Sequence, residues 1–259
     1  MEWILSGYSG IANFQDNRPI WKETTAGLSY WTSGDGLLFA AEEFPGKAAV
    51  RLYRRDKDGW TLGDRREIPG GELCHLAYSS RDRVLLGACY EDGVIFSLGV
   101  EAESGRFGNL YSCFSQGEGL TRAHCALLNS AEDAVYSANI AQDRIYRYAL
   151  SGGVLTETGF FSLPAGAGPR HLALREALGK IYARWTSITA KYWAGFPPSG
   201  LVLLGKAIAA PWLFPRTTGF WLPPTGGKTP WRYFPRINRG TCPFPPGKAA
   251  LGTGPGILP

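Results

Sequence analysis

The chain has 259 residues, 34 glycines and 13% aromatics, which is ample length for a core and favours a turn-rich all-β protein. Its net charge of +5 is uneven: all 22 acidic residues lie at or before Glu176, so that part carries 17 minus 22, or −5, and the remainder +10. No window reaches the roughly 18 apolar residues of a membrane span, and the N-terminus lacks the basic and apolar regions of a secretory signal. The five cysteines have neither metal nor CxxC spacing. Reduced thiols, a cytoplasmic location, no metal and no cofactor are therefore expected.

Short strands and polar turns follow one another from Leu28 onward. "LSYWTSGDGLLFAAEEFPGKAAVRLYRR" from Leu28 gives three strands, and "GWTLGDRREI" a fourth. "HLAYSSRDRVLLGACYEDGVIFSL" from His75 reads the same way, as do "HCALLNSAEDAVYSANIAQDRIYRYAL" from His124 and "HLALREALGKIY" from His171. The histidines stand 49 and 47 residues apart, and Leu28 precedes His75 by 47. No 11-residue window sustains a helical period without a turn. Four strands recurring at nearly 50 residues predict β-propeller blades, about four of them recognisable. The innermost strand of each blade lines a central channel. His75, His124 and His171, taken as equivalent first positions, are thus expected to converge on one pocket.

"LSYWTSGDGLLFAAEE", "LTRAHCALLNSAEDAVYSANIAQDRIYRYAL" and "PAGAGPRHLAL" carry a family likeness. They resemble the seven-bladed lactonase propellers, the group holding the bacterial propeller-type 6-phosphogluconolactonase and the fungal carboxymuconate cyclase. The likeness runs from about Trp3 to about Tyr182, and "GAGPRHLAL" is its most specific piece. "NIAQDRIYRY" is similar to the family's Asp-Leu-Gly-x-Asp-Arg-Val segment. There are departures. The family's Pro-His-x-His is Thr121-Arg122-Ala123-His124 here, its Asn-Tyr is Cys89-Tyr90, and its glutamate after the GPRH blade falls at about Thr186.

The resemblance implies a lactonase opening a sugar-acid lactone, 6-phosphogluconolactone foremost. The alternatives are a non-catalytic binding platform or a cyclase acting on a muconate-type lactone. Lactone opening needs an activated water, donors for the developing oxyanion and a proton for the leaving alkoxide. Carried over from the family, His124 is the candidate acid/base. Arg170 is the candidate oxyanion or carboxylate/phosphate anchor, because a planar guanidinium binds such anions bidentately. Glu43, His75 and His171 are candidate substrate contacts.

Plainer roles stand beside these. His124 could bond backbone at a strand start, and Arg170 could form a salt bridge across the channel. His75 could simply line the channel. Strand alternation should turn His171 away from Arg170, and Asp143-Arg144 reads as a turn pair. No nucleotide, zinc or calcium pattern is present.

The strand pattern stops near residue 184. Of 18 prolines, 13 lie beyond it, and regular strands are not expected where proline is so dense. The chain thus divides into a partial propeller over 1–184 and an irregular basic tail over 185–259. The tail is expected to be out-of-frame text or disordered, since a shifted frame in a GC-rich gene yields Pro, Gly, Arg and Trp and removes acids. A nucleic-acid-binding tail is the lesser reading, and no nucleic-acid or membrane partner is expected. About four blades leave open sheet edges, so aggregation and little turnover are expected.

Overall fold

The computed structural model describes residues 2–57 and 59–185, and three short strands beyond them. Three four-stranded antiparallel blades form its centre. They are β4 to β7 (Leu28–Gly34, Leu37–Phe44, Lys47–Asp56, Gly59–Ile68), β8 to β11 (Leu73–Ser79, Val84–Cys89, Val94–Glu101, Arg106–Ser115) and β12 to β15 (Ala123–Leu128, Ala134–Asn139, Arg144–Ser151, Val154–Ser162). The turns follow from sequence. Asp35 and Gly36, with φ of 51° and 74°, link the paired Gly34 and Leu37, a left-handed two-residue hairpin that Asp-Gly favours.

Ahead of them lie β1 (Glu2–Gly7), β2 (Gly10–Gln15) and β3 (Arg18–Glu23), strands that the repeat alone does not reveal. They match the second to fourth strands of a blade. The β1–β2 turn accepts the Gly27 N–H beside the start of β4, just as the β5–β6 turn accepts the Glu72 N–H beside the start of β8. β1 pairs with β4 at Gly7 and Leu28, and Ser6 Oγ donates to the Ser29 carbonyl at 3.2 Å. After β15 come β16 (Pro169–Arg175), a 3-10 turn (Glu176–Leu178) and β17 (Lys180–Trp185). β18 (Val202–Leu204) then pairs with β17 in parallel, whereas every earlier blade continues antiparallel. β19 (Gly219–Leu222) and β20 (Arg232–Pro235) form a separate antiparallel hairpin. These three strands fall within the tail; the rest of that expectation lies outside the described residues.

Apolar layers fill the spaces between blades, so the second and third strands are buried on both faces. In β9, Val84, Leu86 and Ala88 join the layer towards β12–β15, while Leu85 and Cys89 join the layer towards β4–β7. This alternation is the period of two at work. Gly87 sits where a Cβ would come 2.3 Å from the Phe96 ring, so the close approach requires glycine. Burial is deepest around β8–β11 and thins at the last hairpin, where only Pro169 of β16 is buried. No helix among the described residues is long and apolar enough to cross a membrane.

Candidate active site at the inner-strand bulges

One backbone irregularity recurs. Each inner strand slips register at its second residue: between Leu28 and Tyr30, Leu73 and His75, Ala123 and Cys125, and Pro169 and His171. The extra residues are Ser29, Cys74, His124 and Arg170, and these four are structural equivalents. A β-bulge leaves such a residue outside the ladder and re-aims its side chain.

This corrects the alignment of histidines on one another. His75 and His171 share the position of Tyr30 and Cys125, one residue beyond the bulge, and Leu28 is equivalent to Leu73. The period of nearly 50 residues stands, and the register shifts by one residue at His124 and by two at Leu28. Nothing in residue type signals which of two adjacent polar residues bulges.

The bulge brings the two principal candidates together. Arg170 donates from Nε to His124 Nε2 at 2.7 Å. His124 is 5% exposed, and burial, then the positive Arg170, then His171 hold its pKa well below the ordinary value. The ring is therefore neutral, with its lone pair on Nε2 and its proton on Nδ1. Nδ1 is buried without a hydrogen-bond partner. Arg170 is itself exposed. With Nε committed to the imidazole, its two terminal nitrogens remain for an incoming anion.

His171 departs from the expected alternation. Its ring lies 5.0 Å from that of His124, edge to face, because the bulge interrupts the period of two. Burial, then Arg170 and Arg184, depress its pKa to about 4. Glu43 is half-buried at the end of β5. Burial and Glu43 push the Tyr8 phenol up while Arg170 pulls it down, which places all three in one electrostatic neighbourhood. The half-buried Arg122 stacks over Tyr90, 4.8 Å from the ring centroid, and Tyr90 meets His124 edge-on at 5.9 Å. The sequence places Tyr90 and Arg122 only at positions of the family's motifs and gives no sign of Tyr8; blade-to-blade packing brings all three to the site.

His75 is not on this rim. It is 6% exposed, its Nδ1 accepts the Ala126 N–H at 3.3 Å, and its Nε2 lies 3.1 Å from the Tyr30 hydroxyl. Inner strands are blade edges with spare N–H groups, and His75 satisfies one of them from the neighbouring blade. Cys125, at the same position one blade on, lies against His75, its Sγ 3.7 Å from Nε2. Burial takes the His75 pKa down to about 3, so it too is neutral. Glu42, the neighbour of Glu43, is structural: buried at 5% exposure, it binds Arg51 at 2.6 Å and Arg65 at 2.8 Å. Among the described residues no cluster of three or more His, Cys, Asp or Glu is placed to hold a metal ion. Thr186, next in sequence after Trp185 and expected at the family's glutamate position, lies outside the described residues.

Comparison with known proteins agrees with this architecture. Residues 25–183 match the lactonase family, described as a 7-bladed beta-propeller. The Bacillus subtilis 6-phosphogluconolactonase is 28% identical over 145 residues, covering 53% of this chain and 42% of that protein. A proposed 6-phosphogluconolactonase from Bacteroides fragilis superposes with a TM-score of 0.58 at 21% identity, over 65% of this chain and 55% of that one. The periplasmic gluconolactonase of Pseudomonas aeruginosa gives 0.57 at 18% identity, over 63% and 53% respectively. The chain thus spans about half the length of these relatives. With its repeated blades and the family match over most of its described length, this chain belongs to the lactonase family of seven-bladed β-propellers.

Proposed function

We propose that the rim at the inner-strand bulges opens a sugar-acid lactone bearing an anionic group, 6-phosphogluconolactone being the best fit. The bond between Arg170 and His124 carries this reading. An exposed guanidinium over a neutral, buried imidazole is stable only until a better acceptor arrives. A phosphate or carboxylate is that acceptor, because its bidentate charge-assisted bonds exceed one bond to a neutral nitrogen. Transfer of Arg170 to the substrate frees the His124 Nε2 lone pair, which then takes a proton from the attacking water and returns it to the leaving alkoxide. Glu43, His171 and the Tyr8 hydroxyl border the bound sugar acid. The name of the Bacillus subtilis relative supports this substrate class, and the free thiols suit a cytoplasmic setting.

The tail reading belongs to the same proposal. The parallel β17–β18 pairing, in place of an antiparallel third strand, agrees with a frame change after residue 184. Turnover below that of the Bacillus subtilis relative follows, and sequencing the codons for residues 175–190 in all frames checks it.

The enzymatic test is hydrolysis of 6-phosphogluconolactone above its spontaneous rate. Arg170→Ala and His124→Ala should each lower kcat/KM by at least about 100-fold. Full activity in either variant removes that residue from the mechanism. Tight 6-phosphogluconate binding without turnover by the wild type instead identifies a binding platform.

A further inference from the structure

We infer that Asp143 is a positioning residue for Arg170, acting through the loop that delivers the arginine to its bulge. The inference rests on Arg170 as the anion anchor, but its geometry is independent of substrate. Asp143 ends the β13–β14 turn in a left-handed conformation, φ 51°. From there it holds the 163–168 loop at three points: its carbonyl accepts the Leu163 N–H at 2.8 Å, Oδ2 accepts the Gly166 N–H at 2.7 Å, and Oδ1 the Gly168 N–H at 2.6 Å. Two residues after Gly168 comes Arg170.

The preceding blade shows that this clamp is an addition. There Gly93 stands in the place of Asp143, and its carbonyl accepts the Gln116 N–H in the same way. Gly93 has no side chain, and that loop is held by neutral bonds from Gln142 Nε2 to the carbonyls of Gln116 and Glu118. A carboxylate accepting backbone N–H groups makes the stronger, charge-assisted bond. Leu163 and Ala167 fasten the same loop apolarly, at 8% and 5% exposure beside Ile145. Those contacts fix where the loop lies. The carboxylate on Gly166 and Gly168 sets the backbone direction in which β16 begins, and hence the Arg170 Nε–H vector onto His124.

The test is Asp143→Ala in the full chain, read first by NMR of the resting protein. In the wild type, His124 shows an Nδ1–H tautomer and the Arg170 Nε–H exchanges slowly with solvent. In the variant that exchange should quicken at least tenfold and the His124 Nε2 signal should lose its hydrogen-bond shift, with the thermal transition still cooperative. A folded variant with unchanged exchange and shifts overturns the inference. If Asp143→Ala does not fold, Asp143→Asn keeps one acceptor oxygen of two and should show a smaller rise; an unchanged rate in this variant overturns it equally. Titration with 6-phosphogluconate separates the two readings. A wild type that binds none sinks the functional proposal and leaves the NMR result to decide the role of Asp143. A wild type that binds should lose about tenfold in affinity on Asp143→Ala, chiefly in KM rather than kcat.

Discussion

β8 and β16 occupy the same place in their blades, innermost, each with a bulge at its second residue, yet they do different work. Around β8 both neighbouring layers are thick. Cys74 and His75 are buried, and the imidazole is spent on a backbone N–H of the next blade. Around β16 the layer thins, so the equivalent pair, Arg170 and His171, stands exposed and half-buried. One backbone device thus gives a stitch between blades where packing is complete and, where it is not, the accessible rim to which we assign lactone opening. Burial rather than residue type separates the two, since both strands carry a histidine at the same position.

The comparison is broken most severely in the core. Phe96→Ala, in the layer between β4–β7 and β8–β11, should cost about 4 kcal/mol, and Leu172→Ala on β16 only about 1 kcal/mol. Equal losses in urea denaturation would show that the last hairpin is packed as tightly as the middle blades. Glu42→Ala leaves the mostly buried Arg51 with only the Glu23 carboxylate, 4.0 Å away, and should cost about 3 kcal/mol. A double variant with Arg51→Met should recover part of that loss.

Acid sharpens the contrast between the two equivalent histidines. His75 has a folded pKa of about 3 against roughly 6.5 unfolded. Between those values the unfolded chain binds the extra proton, so stability is full above about pH 6.5 and falls on acidification. The loss attributable to His75 should reach about 2 kcal/mol at pH 5. His171, at about 4, ceases to add to the fall nearer pH 4. His75→Gln should flatten the stability profile between pH 5 and 6.5; an unaltered slope would contradict a buried neutral ring. Smallest is Tyr30→Phe, which removes the hydroxyl against His75 Nε2 and should cost about 1 kcal/mol in a melt, with no effect on lactone hydrolysis.

Much of the fold was legible from residues 28 to 185. Runs of β-branched and aromatic residues marked the strands, and polar turns such as Glu91-Asp92-Gly93 separated them, with Gly93 at a left-handed φ of 66°. The first three strands escaped because they carry no copy of the inner strand on which the repeat was aligned. The candidate site was legible as a set containing His124, Arg170 and Glu43, but not as an arrangement. Asp143 looked like a turn residue because its partners, Gly166 and Gly168, lie in another turn more than 20 residues away.

The sequence by itself determined what local chemistry governs: strand propensity, the two-residue turns, the repeat of nearly 50 residues and the step in charge at Glu176. Tertiary structure alone decided the register, because one bulged residue reverses which side chains face a layer and which face the rim. It also decided which polar groups are spent. Whether an imidazole lone pair meets Ala126 N–H, as in His75, or Arg170 Nε–H, as in His124, depends on groups that only blade packing brings within 3.5 Å.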